Sequence, residues 1–245
     1  MSNPIISVIS SAIRIQYWLE MYDKFTQHNK IPFEMVFVGS VRPTFSLPPN
    51  FIHIYSEDSV VKCFETACRN AKGEYVFMTA DDYLHEPFSA LDIMYGYAIR
   101  LDDKAVVMAR YAEHNCDPND SVLTFMIRLP LSPITGSCTL IKRSVWQELG
   151  GLDRRFHSFR ADTDLHMRIY EAGGHPFIVP NCVTRERQHL EDQGQLRLTV
   201  REKDVFEIDQ GKIQLLWLNQ DNTIISRKRS AEVTPFSDEE ISIIR

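Results

Sequence analysis

The sequence has 245 residues, with five cysteines but no Cys-X-X-Cys pair. Their odd number and scattered spacing argue against a disulfide framework and against a structural zinc site. Unpaired cysteine is also among the residue types most often buried in reduced form. We therefore predict that these cysteines are reduced core residues of a cytoplasmic protein.

Long apolar runs and excess positive charge are also missing. No stretch approaches the roughly 18 apolar residues of a membrane-spanning helix, and the first residues lack a basic region followed by an apolar segment. The formal net charge of −6 argues against a nucleic-acid partner. We expect a soluble protein without a transmembrane segment. Binding to a membrane surface and formation of a homo-oligomer both stay open.

The sequence does contain a regular alternation of β-branched apolar runs and amphipathic segments. Strands are predicted at residues 5–10, 33–38, 51–55, 75–78, 104–111, 136–141 and 177–179, and helices at residues 14–27, 59–72, 88–100, 144–149 and 162–172. This order predicts a mostly parallel, Rossmann-like α/β sheet with flanking helices. The length suits one such domain, with or without a small appendage.

The run at residues 75–78 ends in two adjacent carboxylates, Asp81 and Asp82. In open α/β sheets, ligands bind at the carboxyl ends of the strands. Two repelling carboxylates there need compensation, and a divalent cation with a phosphate ligand would supply it. The alternative is a solvated Asp-Asp turn.

Residues 112–133 are rich in Asp, Asn and Pro and predict a loop over this edge of the sheet. The composition changes again after about residue 190. Residues 191–210 are highly charged and residues 227–229 are basic. We predict a charged, peripheral C-terminal helical extension and tail over residues 191–245, which either packs on the sheet or helps an oligomer to form.

Four patches carry a family resemblance: residues 6–9 with Arg14, residues 71–76 leading to Asp81 and Asp82, residues 136–156, and residues 162–165 with Arg168. Their order and spacing resemble the nucleotide-sugar glycosyltransferases of the GT-A fold, especially the inverting family 2. The resemblance implies an α/β, GT-A mixed sheet that is mostly parallel. It also implies a nucleotide-binding half at about 1–100 and an acceptor half at about 101–190.

The resemblance implies a Mn²⁺ or Mg²⁺ site. Asp81 matches the last acidic residue of the family's Asp-X-Asp motif, with Asp82 in support, and His189 stands where a late histidine often completes the metal shell. Such an ion would neutralise the leaving diphosphate of the donor as a Lewis acid. Thr79 stands where the first aspartate usually meets the donor ribose. Its hydroxyl can donate a hydrogen bond but carries no charge.

The donor pocket departs from the family in other places. Ser10 and Ser11 replace the usual Pro-Thr and are expected to contact the nucleotide. Arg14 and Lys62 are candidates to neutralise phosphate, although exposed helix cations are the alternative. No carboxylate stands at residues 37–40, where the family usually reads the base. UDP is thus expected only as the family's commonest donor nucleotide.

Asp162 matches the position of the family's general base, which takes the proton from the acceptor hydroxyl. The residue before it, normally acidic, is Ala161. The alternative role for Asp162 is the N-cap of the following helix. Asp164 fits a structural acid in the first turn, where the helix dipole favours negative charge.

Together these features predict an inverting glycosyltransferase that moves a sugar from a nucleotide-diphosphate sugar to a hydroxyl of a glycan, lipid-linked or protein acceptor. Two alternatives remain. A nucleotidyltransferase on a similar sheet usually has a glycine-rich phosphate loop after its first strand, and residues 10–14 contain no glycine. A non-catalytic relative is compatible with the departures at Thr79 and Ala161.

Overall fold

The computed structural model of the protein describes residues 3–112, 127–129, 132–135, 138–187, 200–217 and 232–244. The strands in these residues are β1 Ile6–Ser11, β2 Phe33–Gly39, β3 Phe51–Tyr55, β4 Tyr75–Met78, β5 Tyr83–Glu86, β6 Val106–Ala112, β7 Ile127–Leu129, β8 Ser132–Thr135, β9 Thr139–Lys142 and β10 Pro176–Glu186. The α-helices are α1 Trp18–His28, α2 Val60–Asn70, α3 Ala90–Ala98, α4 Arg143–Glu148, α5 Ala161–Glu171 and α6 Val200–Trp217. A 3₁₀ turn, Ile15–Tyr17, precedes α1.

The main sheet has eight strands in the order β3-β2-β1-β4-β9-β6-β10-β5. Strands β1 to β4, β6 and β10 run in one direction, while β9 and β5 run against them. The carboxyl ends of β1, β4, β6 and β10 therefore meet at one edge, where open α/β sheets bind ligands. Strands β7 and β8 form a separate hairpin within the predicted loop 112–133 and just after it.

Apolar side chains on both faces explain why the central strands are buried. In β1, Ile6 and Val8 belong to a core cluster with α1 and α3, whereas Ile9 belongs to the cluster that contains residues of α2, α5 and α6. Successive side chains of a strand point to opposite faces, so a continuous apolar run requires cover on both sides. Helices supply that cover. Among the described helices, none has the length and apolar character needed to cross a bilayer.

The C-terminal part of the chain is less peripheral than its charge suggests. Ile213 and Trp217 of α6, together with Phe236 and Ile241, are buried in the same cluster as β4. The charged residues of α6 obscure this pattern, because the side chains that it buries in this cluster, Ile213, Leu216 and Trp217, all lie near its C-terminal end. The predicted boundary at about residue 190 stays a prediction, but the described residues beyond it complete the core.

Strand β10 is longer than predicted and contains an irregularity. Val179 pairs with Ala109 of β6, but the next pair joins Val183 to Arg110. Three residues, 180–182, are thus additional on β10, as in an extended bulge. Beyond it, β10 also pairs with β5, an edge strand that the sequence pattern did not predict.

The Gly150-Gly151 turn after α4 requires glycine at its second position. Gly151 has φ +71°, and a Cβ there would lie 2.6 Å from a carboxylate oxygen of Glu65. That carboxylate is buried and accepts hydrogen bonds from Trp146 Nε1 at 2.9 Å and the backbone N–H of Leu152 at 3.1 Å. A side chain at Gly151 would displace the acceptor on which this turn depends.

We expect Gly151→Ala to lower the free energy of unfolding by more than the about 1–2 kcal/mol typical of a left-handed non-glycine residue. The additional loss comes from displacement of Glu65. Gly173→Ala is the matched control, because Gly173 has φ +89° and a Cβ at this position would meet no atom of the described residues within 4 Å. Urea denaturation of both variants checks this, and equal losses would contradict the role given to Glu65.

Candidate active site

A cavity of about 350 Å³ opens at the carboxyl edge of the sheet, between the end of β4 and the start of α5. One side is formed largely by apolar and aromatic side chains: Val61, Phe64, Met78, Leu152, Phe159 and Phe206. The polar lining residues are Thr79, Tyr83, Tyr111, Ser158, Arg160, Asp162, Thr163 and Glu186. A concave, mostly apolar cavity with a few convergent polar groups is typical of a small-molecule site.

Asp162, the predicted base, lines this cavity from the first turn of α5. Its Oδ1 atom accepts a hydrogen bond from the backbone N–H of Thr163 at 2.7 Å. Burial raises the pKa of Asp162 above the ordinary aspartate range, because desolvation disfavours the charged form. The N-cap position belongs to Arg160, so the N-cap alternative for Asp162 is wrong.

Arg160 has a left-handed backbone, with φ +66°. This conformation costs a non-glycine residue roughly 1–2 kcal/mol, and such strain often occurs at functional sites. Its side chain is turned toward α6, where Nε donates to Gln210 Oε1 at 2.8 Å and the guanidinium lies 5.5 Å from the ring centroid of Phe206. Contacts with α6 therefore hold this conformation beside Asp162.

Tyr83, Tyr111 and Glu186 form a polar cluster that also lines the cavity. The Tyr111 hydroxyl donates to Glu186 Oε2 at 2.9 Å, and the two tyrosine rings lie 5.4 Å apart. Burial raises the pKa of both tyrosines, so the phenols stay protonated at neutral pH. The sequence interpretation missed these three residues. The acidic residue within Arg185-Glu186-Arg187 was the one available signal.

Thr79 also lines the cavity, but its hydroxyl already has a partner within the protein. Its Oγ1 lies 3.0 Å from His85 Nε2, and His85 Nδ1 lies 3.0 Å from Thr184 Oγ1. Burial lowers the pKa of His85 to about 3, so the imidazole is neutral at physiological pH. The predicted contact of Thr79 with a donor ribose stays a prediction, and His85 fixes the side chain that would make it.

Asp81 is fully buried and points to the loop that follows β1. Its Oδ2 atom accepts hydrogen bonds from the backbone N–H groups of Ile13 and Arg14 at 2.7 and 2.5 Å and from Trp18 Nε1 at 3.0 Å. Three donors saturate this oxygen. Asp81 therefore fastens the β1–α1 connection, and only its Oδ1 atom retains capacity for a cation.

Arg14 lies between the two adjacent carboxylates. Its Nη1 atom is 3.4 Å from Asp81 Oδ1 and 3.4 Å from Asp82 Oδ2. Burial, and then repulsion from Asp82, raises the pKa of Asp81. The guanidinium partly compensates this like-charge repulsion, a role for which the sequence analysis predicted a divalent cation.

The carboxylate oxygens of this pair suit a hard divalent ion such as Mn²⁺ or Mg²⁺. In the described part of the chain, however, no group of three His, Cys, Asp or Glu side chains is placed to hold a metal. His189, the predicted third ligand, lies outside the described residues. The carboxylate oxygens of Asp82 and the Oδ1 atom of Asp81 are suitable ligands for such an ion, but a further ligand is required.

The remaining predicted donor contacts do not line the cavity. Ser10 is fully buried, and its hydroxyl donates to the backbone oxygen of Ser11 at 3.2 Å. Lys62 Nζ pairs with Asp58 at 3.0 Å on the outside of α2. The contacts of these residues with a nucleotide stay predictions, and such contacts would lie outside the cavity.

Asp164, by contrast, has the structural role that its position predicted. It is fully buried, with Oδ2 accepting from Arg168 Nε at 2.9 Å and Oδ1 accepting from Trp217 Nε1 at 3.0 Å. A buried carboxylate with charged and neutral donors on both oxygens stabilises the packing of α5 against α6. Asp162 thus lines the cavity, whereas Asp164 is a buried core residue.

The order of strands, with the cavity at their carboxyl edge, defines a GT-A fold, as the sequence resemblance predicted. Two solved structures of S. aureus TarS share it. The TarS fragment bound to UDP has a TM-score of 0.59 and 14% identity, covering 85% of this chain and 65% of that one. The fragment bound to UDP-GlcNAc has a TM-score of 0.57 and 15% identity, covering 83% and 64%. The chain thus spans slightly less than two thirds of either structure.

Sequence comparison gives a shorter match. The N-acetylglucosaminyl-diphospho-decaprenol L-rhamnosyltransferase of Mycobacterium tuberculosis, in two strains, is 36% identical over 53 residues. The match covers 22% of this chain and 17% of that enzyme. No protein-family model matches the chain. The structural comparisons therefore support the GT-A fold along 83–85% of the chain.

Proposed function

We propose that the protein is an inverting glycosyltransferase that moves a sugar from a nucleotide-diphosphate sugar to an acceptor hydroxyl. The observation that carries this proposal is the Asp162 carboxylate, which lines a cavity at the carboxyl edge of a GT-A sheet. The TarS complexes favour a uridine diphosphate sugar as donor. The name of the mycobacterial relative favours a lipid-linked glycan as acceptor.

In the proposed reaction Asp162 accepts the proton of the acceptor hydroxyl as its oxygen attacks the anomeric carbon. The bond from that carbon to the diphosphate breaks, the nucleotide leaves with the electron pair, and the configuration at the carbon inverts. A general base must lie within hydrogen-bond reach of the proton that it takes. The raised pKa of Asp162 makes it a stronger base than an exposed aspartate, provided that it is ionised.

Asp82 and the Oδ1 atom of Asp81 would hold a Mn²⁺ or Mg²⁺ ion, with His189 as the predicted further ligand. When bound, the ion would neutralise the charge that develops on the leaving diphosphate. Arg14 contacts both carboxylates and is our candidate cation to neutralise phosphate beside them. Thr79, held by His85, is our candidate for the donor ribose.

Thermal unfolding with UDP, GDP, CMP and dTDP, each with and without Mn²⁺, tests the donor site. We expect UDP with Mn²⁺ at about 100 times its dissociation constant to add roughly 2.7 kcal/mol of stability. For a chain of this size, that corresponds to about 5–11 °C in melting temperature. The other nucleotides should give smaller shifts.

Asp82→Asn is the matched variant for the metal. It should reduce the stabilisation by UDP with Mn²⁺ to the value seen without the metal. An unchanged metal response would contradict the role of Asp82. The absence of stabilisation by every nucleotide would refute the donor site and favour a non-catalytic binding protein.

A further inference from the structure

Residues 158–160 form the wall of the cavity next to Asp162, and side chains of α6 hold this wall together with the preceding residue, His157. The fully buried carboxylate of Asp209 accepts hydrogen bonds from the backbone N–H groups of residues 157–159 at 2.9–3.2 Å. Charge-assisted bonds of this kind are stronger than those between neutral groups. Three successive residues are thus tied to one side chain.

The charge of Asp209 is itself compensated on α6. Lys212 Nζ lies 2.9 Å from Asp209 Oδ1 and also donates to the backbone oxygen of Arg155. A buried charge persists only when it is paired and hydrogen-bonded, and these contacts meet that requirement. The fixed carboxylate can therefore act as a rigid acceptor for the cavity wall.

A second contact continues the same support up to α5. Gln210 accepts from Arg160 Nε at 2.8 Å, and the backbone oxygen of Arg160 accepts from the N–H of Asp164 at 2.9 Å. That last bond belongs to the first turn of α5, which contains Asp162. Gln210 of α6 thus contacts the residue whose backbone oxygen accepts a hydrogen bond of the first turn of α5.

We propose that Asp209 is a positioning residue for sugar transfer, which sets the orientation of Asp162 by clamping residues 157–159. This inference rests on the proposed function of Asp162. Asp209 does not line the cavity, so its effect passes through the backbone that it holds. A displacement of about 1 Å at a catalytic group can cost on the order of 100-fold in rate. Loss of the clamp should consequently reduce catalysis more than donor binding.

Steady-state kinetics of Asp209→Asn test this role. We expect kcat to fall about 10–100-fold, while the donor KM stays within roughly threefold of the wild-type value. Glu207→Gln is the matched control, because it removes the same charge from an exposed position on α6. It should leave both constants unchanged, and thermal melts should show that each variant is folded.

Gln210→Ala provides a milder test that does not depend on removing a buried charge. It should lower kcat by about 3–10-fold with an unchanged donor KM, because Arg160 loses one of its contacts with α6. Wild-type kcat in a folded Asp209→Asn variant would overturn the inference. If that variant does not fold, wild-type kcat in Gln210→Ala would do the same. A wild-type protein without transfer activity would instead refute the proposed function, and this role with it.

Discussion

Asp162→Asn is expected to reduce sugar transfer by about 10²–10⁴-fold, the range typical of a lost general base. The amide keeps the size of the side chain and its acceptor for the Thr163 N–H, but it cannot take a proton from the acceptor hydroxyl. Fold stability and stabilisation by UDP should be those of the wild type. Release of UDP from a UDP-sugar in the presence of acceptor measures the rate.

The control for this variant is Glu171→Gln, an exposed carboxylate at the far end of α5. It removes the same charge from the same helix and should leave the rate unchanged. The wild-type rate should also fall as the pH decreases through the raised pKa of Asp162, because only the ionised carboxylate accepts a proton. The fall should lie above the ordinary aspartate range. A rate in Asp162→Asn within about twofold of wild type would exclude the role of base.

Asp81→Ala is expected to lower the free energy of unfolding by about 3–5 kcal/mol, as when one partner of a buried charge network is removed. The N–H groups of Ile13 and Arg14 and the indole of Trp18 would lose their common acceptor. Buried donors without an acceptor retain their full desolvation cost. The melting temperature should fall by roughly 6–20 °C for a chain of this size.

A matched control for Asp81 is Asp58→Ala, which removes a partly exposed aspartate that pairs with Lys62 on α2. Such surface pairs contribute about 0–1 kcal/mol, so the melting temperature should change little. A similar small change in Asp81→Ala would contradict the anchoring role. It would also restore Asp81 as a carboxylate whose main task is to bind a cation.

Local sequence pattern was sufficient for most of the sheet. The apolar runs of β1 and β4 pack on both faces, so their composition alone indicates burial. Serine is a residue type favoured at the N-cap, and Ser59 caps α2 by accepting a hydrogen bond from the N–H of Lys62. Asp162 could be selected because a family resemblance marks its position. Its presence in the cavity agrees with that choice, while its role as base stays a proposal.

The remaining features depend on contacts between distant residues. Strand β5 is short, and its pairing with β10 joins Leu84 to Arg185, which no local pattern reveals. Glu186 meets Tyr111 for the same reason. Asp209 sits among charged neighbours on α6 and resembles a solvated side chain until the backbone of residues 157–159 is placed against it. The charge density of α6 alone therefore does not show that Asp209 and Ile213 are buried.

The irregularity in β10 changes the phase of the strand. Residues 180–182 are an insertion of odd length relative to β6, so the side chains that follow them face opposite to the side that simple alternation would assign. The part of β10 before the insertion packs in the core, and the part after it places Glu186 in the lining of the cavity. Removing a single residue there would invert the second half and leave the first in place. The number of residues inserted at this point therefore decides which side chains of β10 face the cavity. A change in that number can alter the polar groups of the cavity while the rest of the sheet stays the same.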